Sequence, residues 1–222
     1  MKYILPVLGL VLCTSANAEI LGNSVKAGVE AWYSKTQVDQ IVEHGNIDYD
    51  KMNYAAWARV EHILPLVPNV FARFNYLDAG SNYERQNMNH FDLAAYYEVL
   101  DITPLKLDLG FGAKVGQFKY DVDNTRVNYD NVFPFAYGHA ELELFPSNFI
   151  IDATVEGVNA EFWKDTKMLD AQLGLSYKFG TDLVHGRAGL GYRYMYMTQE
   201  VQDKYNPDAE IKGIYASLGL YF

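Results

Sequence analysis

The chain has 222 residues, a formal net charge of −10, 15% aromatic residues and one cysteine. Such an acidic balance argues against nucleic acid as a partner, and a lone cysteine rules out a disulfide framework or a thiolate metal site. The length suits one domain and is enough for a complete β-barrel.

The chain starts with Met1-Lys2, an apolar run from Tyr3 to Cys13, and Thr14-Ser15-Ala16-Asn17-Ala18. A short basic start, an apolar segment too short to span a bilayer and an Ala-x-Ala end predict a secretory signal peptide over 1–18, cleaved after Ala18. Leu12 precedes Cys13, where a lipoprotein signal needs a small residue, so lipidation there is not expected. The mature domain is then 19–222, without cysteine. No later apolar run approaches the ~20 residues of a membrane helix.

From Val25 onward the pattern has period 2. Val25, Ala27, Val29, Ala31 and Tyr33 share a face, opposite Lys26, Gly28, Glu30 and Trp32. Thr36 to Met52 is polar and is expected to be a loop. Tyr54, Ala56, Ala58 and Val60 then oppose Trp57, Arg59 and Glu61. The link Leu64-Pro65-Leu66-Val67-Pro68-Asn69 is short, and its prolines stop a ladder. Val70, Ala72, Phe74 and Tyr76 oppose Arg73 and Asn75.

A second polar loop is expected over Ala79 to Met88. Phe91, Leu93, Ala95, Tyr97 and Val99 follow, opposite His90, Asp92, Tyr96 and Glu98. After Thr103-Pro104, Leu105 to Val115 alternates against Lys106, Asp108, Gly110, Gly112 and Lys114. Lys119 to Asn131 is the third expected loop. In the sixth strand Ala136, Ala140, Leu142 and Leu144 oppose Tyr137, His139, Glu141 and Glu143. Phe133, Pro134 and Phe135 fit no clean face, which predicts a bulge there.

Past the Pro146-Ser147-Asn148 turn, Phe149, Ile151, Ala153 and Val155 oppose Asp152, Thr154 and Glu156. Asn159 to Lys167 is a shorter loop. Leu169 to Phe179 opposes Asp170, Gln172, Ser176 and Lys178, and Ala188 to Tyr196 opposes His185, Arg187, Gly191 and Arg193. Thr198 to Ala209 is the last long loop. The final stretch puts Ile214, Ala216, Leu218, Leu220 and Phe222 on one face and Tyr215, Ser217, Gly219 and Tyr221 on the other.

These are about ten strands, with eight as the lower count, joined by connections that alternate long and short. A soluble sandwich has no reason for that alternation. An all-β, antiparallel, up-and-down transmembrane barrel predicts it, with both termini and the short turns in the periplasm. Tyr33, Tyr54, Tyr76, Phe91, Tyr194 and Tyr196 are expected at the outer girdle, and Phe149, Tyr177, Phe179 and Phe222 at the inner one.

The leader, the repeated strands and the ending on Phe222 resemble the small outer-membrane β-barrel proteins of Gram-negative proteobacteria. Glu61 to Asn69 is similar to a turn motif of one largely uncharacterised family among them. The resemblance implies an exported, integral outer-membrane barrel and no catalytic residues. It also implies that Tyr215, Leu218, Leu220 and Phe222 form the signal read by the barrel-assembly machinery.

The inward face carries the acids Glu30, Glu61, Asp92, Glu98, Asp108, Glu141, Glu143, Asp152, Glu156 and Asp170. Its bases are Lys26, Arg59, Arg73, Lys106, Lys114, Lys178, Arg187 and Arg193. A selective pore would carry a dominant sign, whereas near balance predicts a charge-paired, filled lumen. The Pro146 turn should set Glu141 or Glu143 beside Asp152. Such like charges form a proton- or cation-responsive constriction unless Arg187 and Arg193 close them into a structural network.

The role expected is structural or binding, exerted through acidic outer loops such as Ile47 to Asp50 and Tyr120 to Asn124. Lipopolysaccharide is the expected partner, bridged by divalent cations, although neither stretch has the Gly and distant Glu of an EF-hand loop. The alternatives are a narrow cation-preferring channel, for which Gly110, Gly112, Gly116, Gly189 and Gly191 would clear the lumen, and an outer-membrane enzyme. For the enzyme His90 and Asp92 are the best pair, without a nucleophile. No catalysis, cofactor or metal site is expected, and the barrel is expected to be a monomer.

Overall fold

A computed structural model describes residues 24–39, 47–64, 66–80, 85–122, 125–160, 166–181, 184–198 and 208–222. The leader and its cleavage point lie outside the described residues. Ten antiparallel strands make one sheet: β1 (Ser24–Asp39), β2 (Ile47–Glu61), β3 (Asn69–Tyr76), β4 (Arg85–Ile102) and β5 (Leu105–Val122), followed by β6 (Thr125–Leu144), β7 (Phe149–Ala160), β8 (Thr166–Gly180), β9 (His185–Thr198) and β10 (Asp208–Tyr221). A short piece, Asp78–Gly80, continues β3 past Leu77 along β4.

Each strand pairs with its neighbours in the chain, and β1 pairs with β10 from Lys26↔Tyr221 to Asp39↔Asp208. The seam ends in a reciprocal pair: Val25 N–H donates to Phe222 O at 3.0 Å and Phe222 N–H donates to Val25 O at 2.9 Å. Closure leaves no sheet edge in the wall, as a spanning β-structure in lipid requires.

The two faces differ as the alternation requires. Val29, Phe111, Leu190, Ile214 and Leu218 are exposed on the outside, while Glu30, Arg59, Arg73, Asp92 and Arg193 are buried inside. From Val25 to Tyr33 the outward positions of β1 carry no charge, which matches the ~9–11 residues of a membrane strand. Lys35, Asp50, Lys167, Glu210 and Lys212 stand beyond this belt at the end opposite the short turns. A charge-free belt outside, rim charges above it and a charged interior make this an integral outer-membrane barrel.

Aromatic rings border the belt. Tyr54 pairs with Tyr76 and Phe74 with Phe91 near the outer end. Phe149 meets Tyr177 edge-on at 5.2 Å near the inner end. Tyr194 and Tyr196, expected in the outer girdle, are half-buried.

The strand limits and the ladder register depart from the sequence reading in two places. The expected loops are largely paired strand: β1 runs to Asp39, β2 starts at Ile47, and the β5–β6 hairpin stays in register to Val122↔Thr125. Backbone ladders continue above the membrane whatever the polarity of the side chains. The bulge is also not in β6, which pairs with β5 without a break; it lies in β4 between Glu98 and Leu100. Phe133, Phe135 and Tyr137 all point inward. They fit because Gly112 faces Phe135 and Gly110 faces Tyr137 across the β5–β6 ladder. A Cβ on Gly112 would sit 2.6 Å from the Phe135 ring.

Candidate functional site: the lumen

The lumen is filled in layers. At the outer end Met88, Met168, Met195, Met197, Leu77, Ile211 and Phe133 belong to one buried apolar cluster. Met168 and Met197 are direct cross-strand partners. No expectation covered this layer, because Met88 fell in a supposed loop and Met195 and Met197 alternate with prominent tyrosines. The signal was parity: Met195 and Met197 share the face of Arg193, Met168 that of Asp170, and Met88 that of His90.

Beneath the methionines lies an ion network contributed by β3, β4, β5, β7, β8 and β9. Arg73 Nε donates to Asp92 Oδ2 at 3.0 Å, and its Nη2 reaches Glu156 Oε1 at 2.5 Å and Asp170 Oδ2 at 3.1 Å. Lys114 Nζ lies 2.5 Å from Asp92 Oδ1, 3.2 Å from Glu156 Oε2 and 3.5 Å from Asp170 Oδ2. Arg193 grips Asp170 with two nitrogens, Nε to Oδ1 at 2.9 Å and Nη2 to Oδ2 at 2.7 Å. The Arg193 guanidinium also lies over Trp32, 4.7 Å from the ring centre. Arg73 is 2% exposed and Asp92 0%. Three cations thus face three carboxylates out of water, each ion with more than one partner, since Arg193 Nη1 also lies 4.0 Å from Glu30 Oε2.

His90 Nδ1 bonds the Met88 carbonyl at 3.0 Å, and its Nε2 lies 3.7 Å from Asp92 Oδ1. His90, Asp92 and Asp170 bring ligand atoms within 4.8 Å of one another. The Lys114 ammonium already bonds both carboxylates there, so the protein's own cation takes the place of a metal ion. His90 and Asp92 are 1% and 0% exposed, and among the described residues they bond the Met88 carbonyl, Arg73, Asn75 and Lys114.

An aromatic layer follows. Phe71 stacks on Tyr137 at 5.3 Å, Tyr137 packs on Tyr96 at 5.5 Å, and the Arg59 and Arg73 guanidiniums flank Phe71 at 5.3 and 5.6 Å. Tyr215 packs against Gly191, where a Cβ would meet its ring at 2.5 Å. Gly112 and Gly191 thus make room for rings.

The periplasmic half is looser. Lys26 Nζ pairs with Glu61 Oε1 at 2.5 Å, and Tyr96 donates to the same oxygen at 3.1 Å. Arg59 lies 3.8 Å from Asp108, and Arg187 Nη1 reaches Glu141 Oε1 at 2.8 Å while its guanidinium stacks on Tyr221 at 4.2 Å. His139 links Thr154 at 2.9 Å with Glu141 at 3.3 Å. Between these pairs lies a cavity of about 60 Å³. A water needs roughly 10–15 Å³ measured this way, so the space suits a few waters.

Glu141 and Asp152 are direct cross-strand neighbours, but Glu143 lies opposite Ile150 and is half-buried. Arg187 reaches Glu141 of the pair, whereas Arg193 belongs to the network above, with Glu30 as its second carboxylate at 4.0 Å. Asp152 lines the cavity with no ion pair among the described residues. Glu98 stays on the inner face opposite Asp108, exposed at the periplasmic mouth beside the bulge. Of the ending, Leu218 and Leu220 face lipid, Tyr215 faces the lumen and Phe222 closes the seam.

Solved structures share this architecture. The chain is similar to the outer membrane protease OmpT from Escherichia coli at 11% identity, with a TM-score of 0.50, over 90% of this chain and 96% of that one. The β domain of the Bordetella autotransporter BrkA gives the same identity and TM-score over 90% and 99%. Ail, the attachment invasion locus protein of Yersinia pestis, is similar at 11% identity with a TM-score of 0.41 over 89% and 99%. No protein-family model and no curated protein matches the chain. At these identities the likeness is one of fold, that of the Gram-negative outer-membrane barrel.

Proposed function

We infer that this integral outer-membrane barrel, its lumen filled by its own side chains, is a non-conducting, non-catalytic monomer that acts through its outer hairpins. The observation that carries this reading is the buried network of Arg73, Asp92, Lys114, Glu156, Asp170 and Arg193 beneath the methionine layer. Opening a path would strip at least one cation from its carboxylates, at a cost of several kcal/mol. Function then has to lie outside the lumen.

The outer rim is the acidic candidate. Asp50 is exposed there and accepts the Tyr33 hydroxyl at 3.3 Å. The other side chains of Ile47 to Asp50 and of Tyr120 to Asn124 lie outside the described residues. Such acids meet anionic lipopolysaccharide through Ca²⁺ or Mg²⁺, which take carboxylate and phosphate oxygens together.

Conductance in planar bilayers tests the reading. Refolded, heat-modifiable barrel is expected to give no steady openings, while openings of defined size would establish the narrow channel instead. Binding to lipopolysaccharide is expected to be lost on chelation of divalent cations and restored by Mg²⁺. Chelator-insensitive binding would dismiss the cation bridge.

A further inference from the structure

The turn between β2 and β3 has no part in the lumen, yet it is held by four hydrogen bonds of its own. His62 organises it. His62 N–H donates to Asn69 Oδ1 at 3.0 Å, Leu64 N–H donates to His62 Nδ1 at 3.2 Å, and His62 Nε2 bonds Pro68 O at 3.2 Å. Val67 N–H closes onto Leu64 O at 3.2 Å. Three backbone N–H groups and two carbonyls are thus paired within the turn, which fixes its shape without using its apolar side chains.

Those side chains are apolar. Leu66 is 89% exposed and Ile63 70%, with Leu64 and Val67 exposed beside them. A turn in water gains nothing from such a row, because each large aliphatic side chain left in water forgoes ~1.5–3 kcal/mol of burial.

The position of the turn identifies what covers it. Tyr97 stands on the lipid face of β4, on the same side as Phe91 and Leu93, and its hydroxyl donates to the Leu66 carbonyl at 3.2 Å. That bond draws the turn over the outside of the wall, not under the mouth. The turn is therefore continuous with the lipid-facing belt, through Val60 and Val70 at the adjoining strand ends.

We propose that the β2–β3 turn is a membrane anchor that inserts Ile63, Leu64, Leu66 and Val67 among the acyl chains of the inner leaflet. Its partner is phospholipid. The Tyr97 phenol sits at the boundary as an amphipathic side chain does, ring in the apolar zone and hydroxyl on a backbone acceptor. The motif singled out in the sequence then has a physical content: a histidine-stapled turn that offers a fixed aliphatic surface to lipid.

Single-cysteine labelling tests this. In a Cys13→Ser background no other cysteine remains. Leu66→Cys, Val29→Cys and Asn148→Cys are each labelled with a polarity-sensitive fluorophore and refolded into phosphatidylcholine vesicles at high lipid-to-protein ratio. Val29 marks the belt and Asn148 an exposed polar turn. The Leu66 label is expected to emit like the Val29 label, to be quenched by nitroxides on the acyl chains and to be shielded from a water-soluble quencher. Quenching from water equal to that at Asn148 would overturn the proposal. Shielding that appears only when the barrel is crowded would overturn it too, by assigning the surface to a second copy.

Discussion

Arg73 in the upper lumen holds three carboxylates, whereas Arg187 in the lower lumen holds one. The residue types in the two clusters are the same, and so is the near balance of sign. The difference is redundancy and water. In the upper network most ions have several partners and the shell around them is dry. Below, pairs stand singly around a cavity, and Asp152 has only neighbours of like or distant charge. Charge balance alone therefore does not decide whether a lumen is sealed. The decisive feature is how many strands converge on each ion.

The largest expected effect tests that redundancy. Arg73→Met removes one cation from three buried carboxylates and is expected to cost ~3–5 kcal/mol, as a broken buried pair does. The urea midpoint in lipid vesicles reads it, and an unchanged midpoint would show that the network is not holding the barrel. Arg187→Met loses one charged hydrogen bond beside water, together with the stack on Tyr221, and is expected to cost less, about 1.5–3 kcal/mol. Equal losses for the two variants would erase the distinction drawn here.

Gly112→Ala sharpens the role of the aromatic layer between the clusters. Its Cβ would meet Leu93 O at 2.3 Å as well as the Phe135 ring. Overpacking of this kind costs ~1–3 kcal/mol, and loss of near-ultraviolet dichroism should accompany it. At the rim, Lys51 lies 3.9 Å from Asp78 with both side chains partly exposed. Lys51→Ala is expected to change stability by only ~0–1 kcal/mol, and a larger drop would mean that the rim is drier than its exposure implies.

Much of this was legible because lipid imposes strict alternation. Arg59, Glu61, Arg73, Glu141, Glu156, Arg187 and Arg193 could be assigned to one face from parity alone. Phe133-Pro134-Phe135 defeated the same logic, since apolar residues suit both faces and only the glycines across the ladder decide which way the rings go. The bulge was invisible because Val99 reads equally well as an outward strand residue. Partners were harder than faces: Arg193 shares its strand with Arg187 but lies at another depth, and depth depends on register around the whole ring. The methionine layer was missed because the polarity of the flanking residues suggested that the strands had already ended.

The strands do not end at one height. β6 has 20 residues and β5 has 18, while β7 has 12 and β8 has 15. Beyond Gly116↔Asn131 the β5–β6 ladder continues through Gln117↔Asp130 to Val122↔Thr125, which at ~3.3 Å per residue adds roughly 20 Å of paired strand. This hairpin thus rises above the rest of the described rim, so a bulky body arriving from outside would meet it before the other described strand ends.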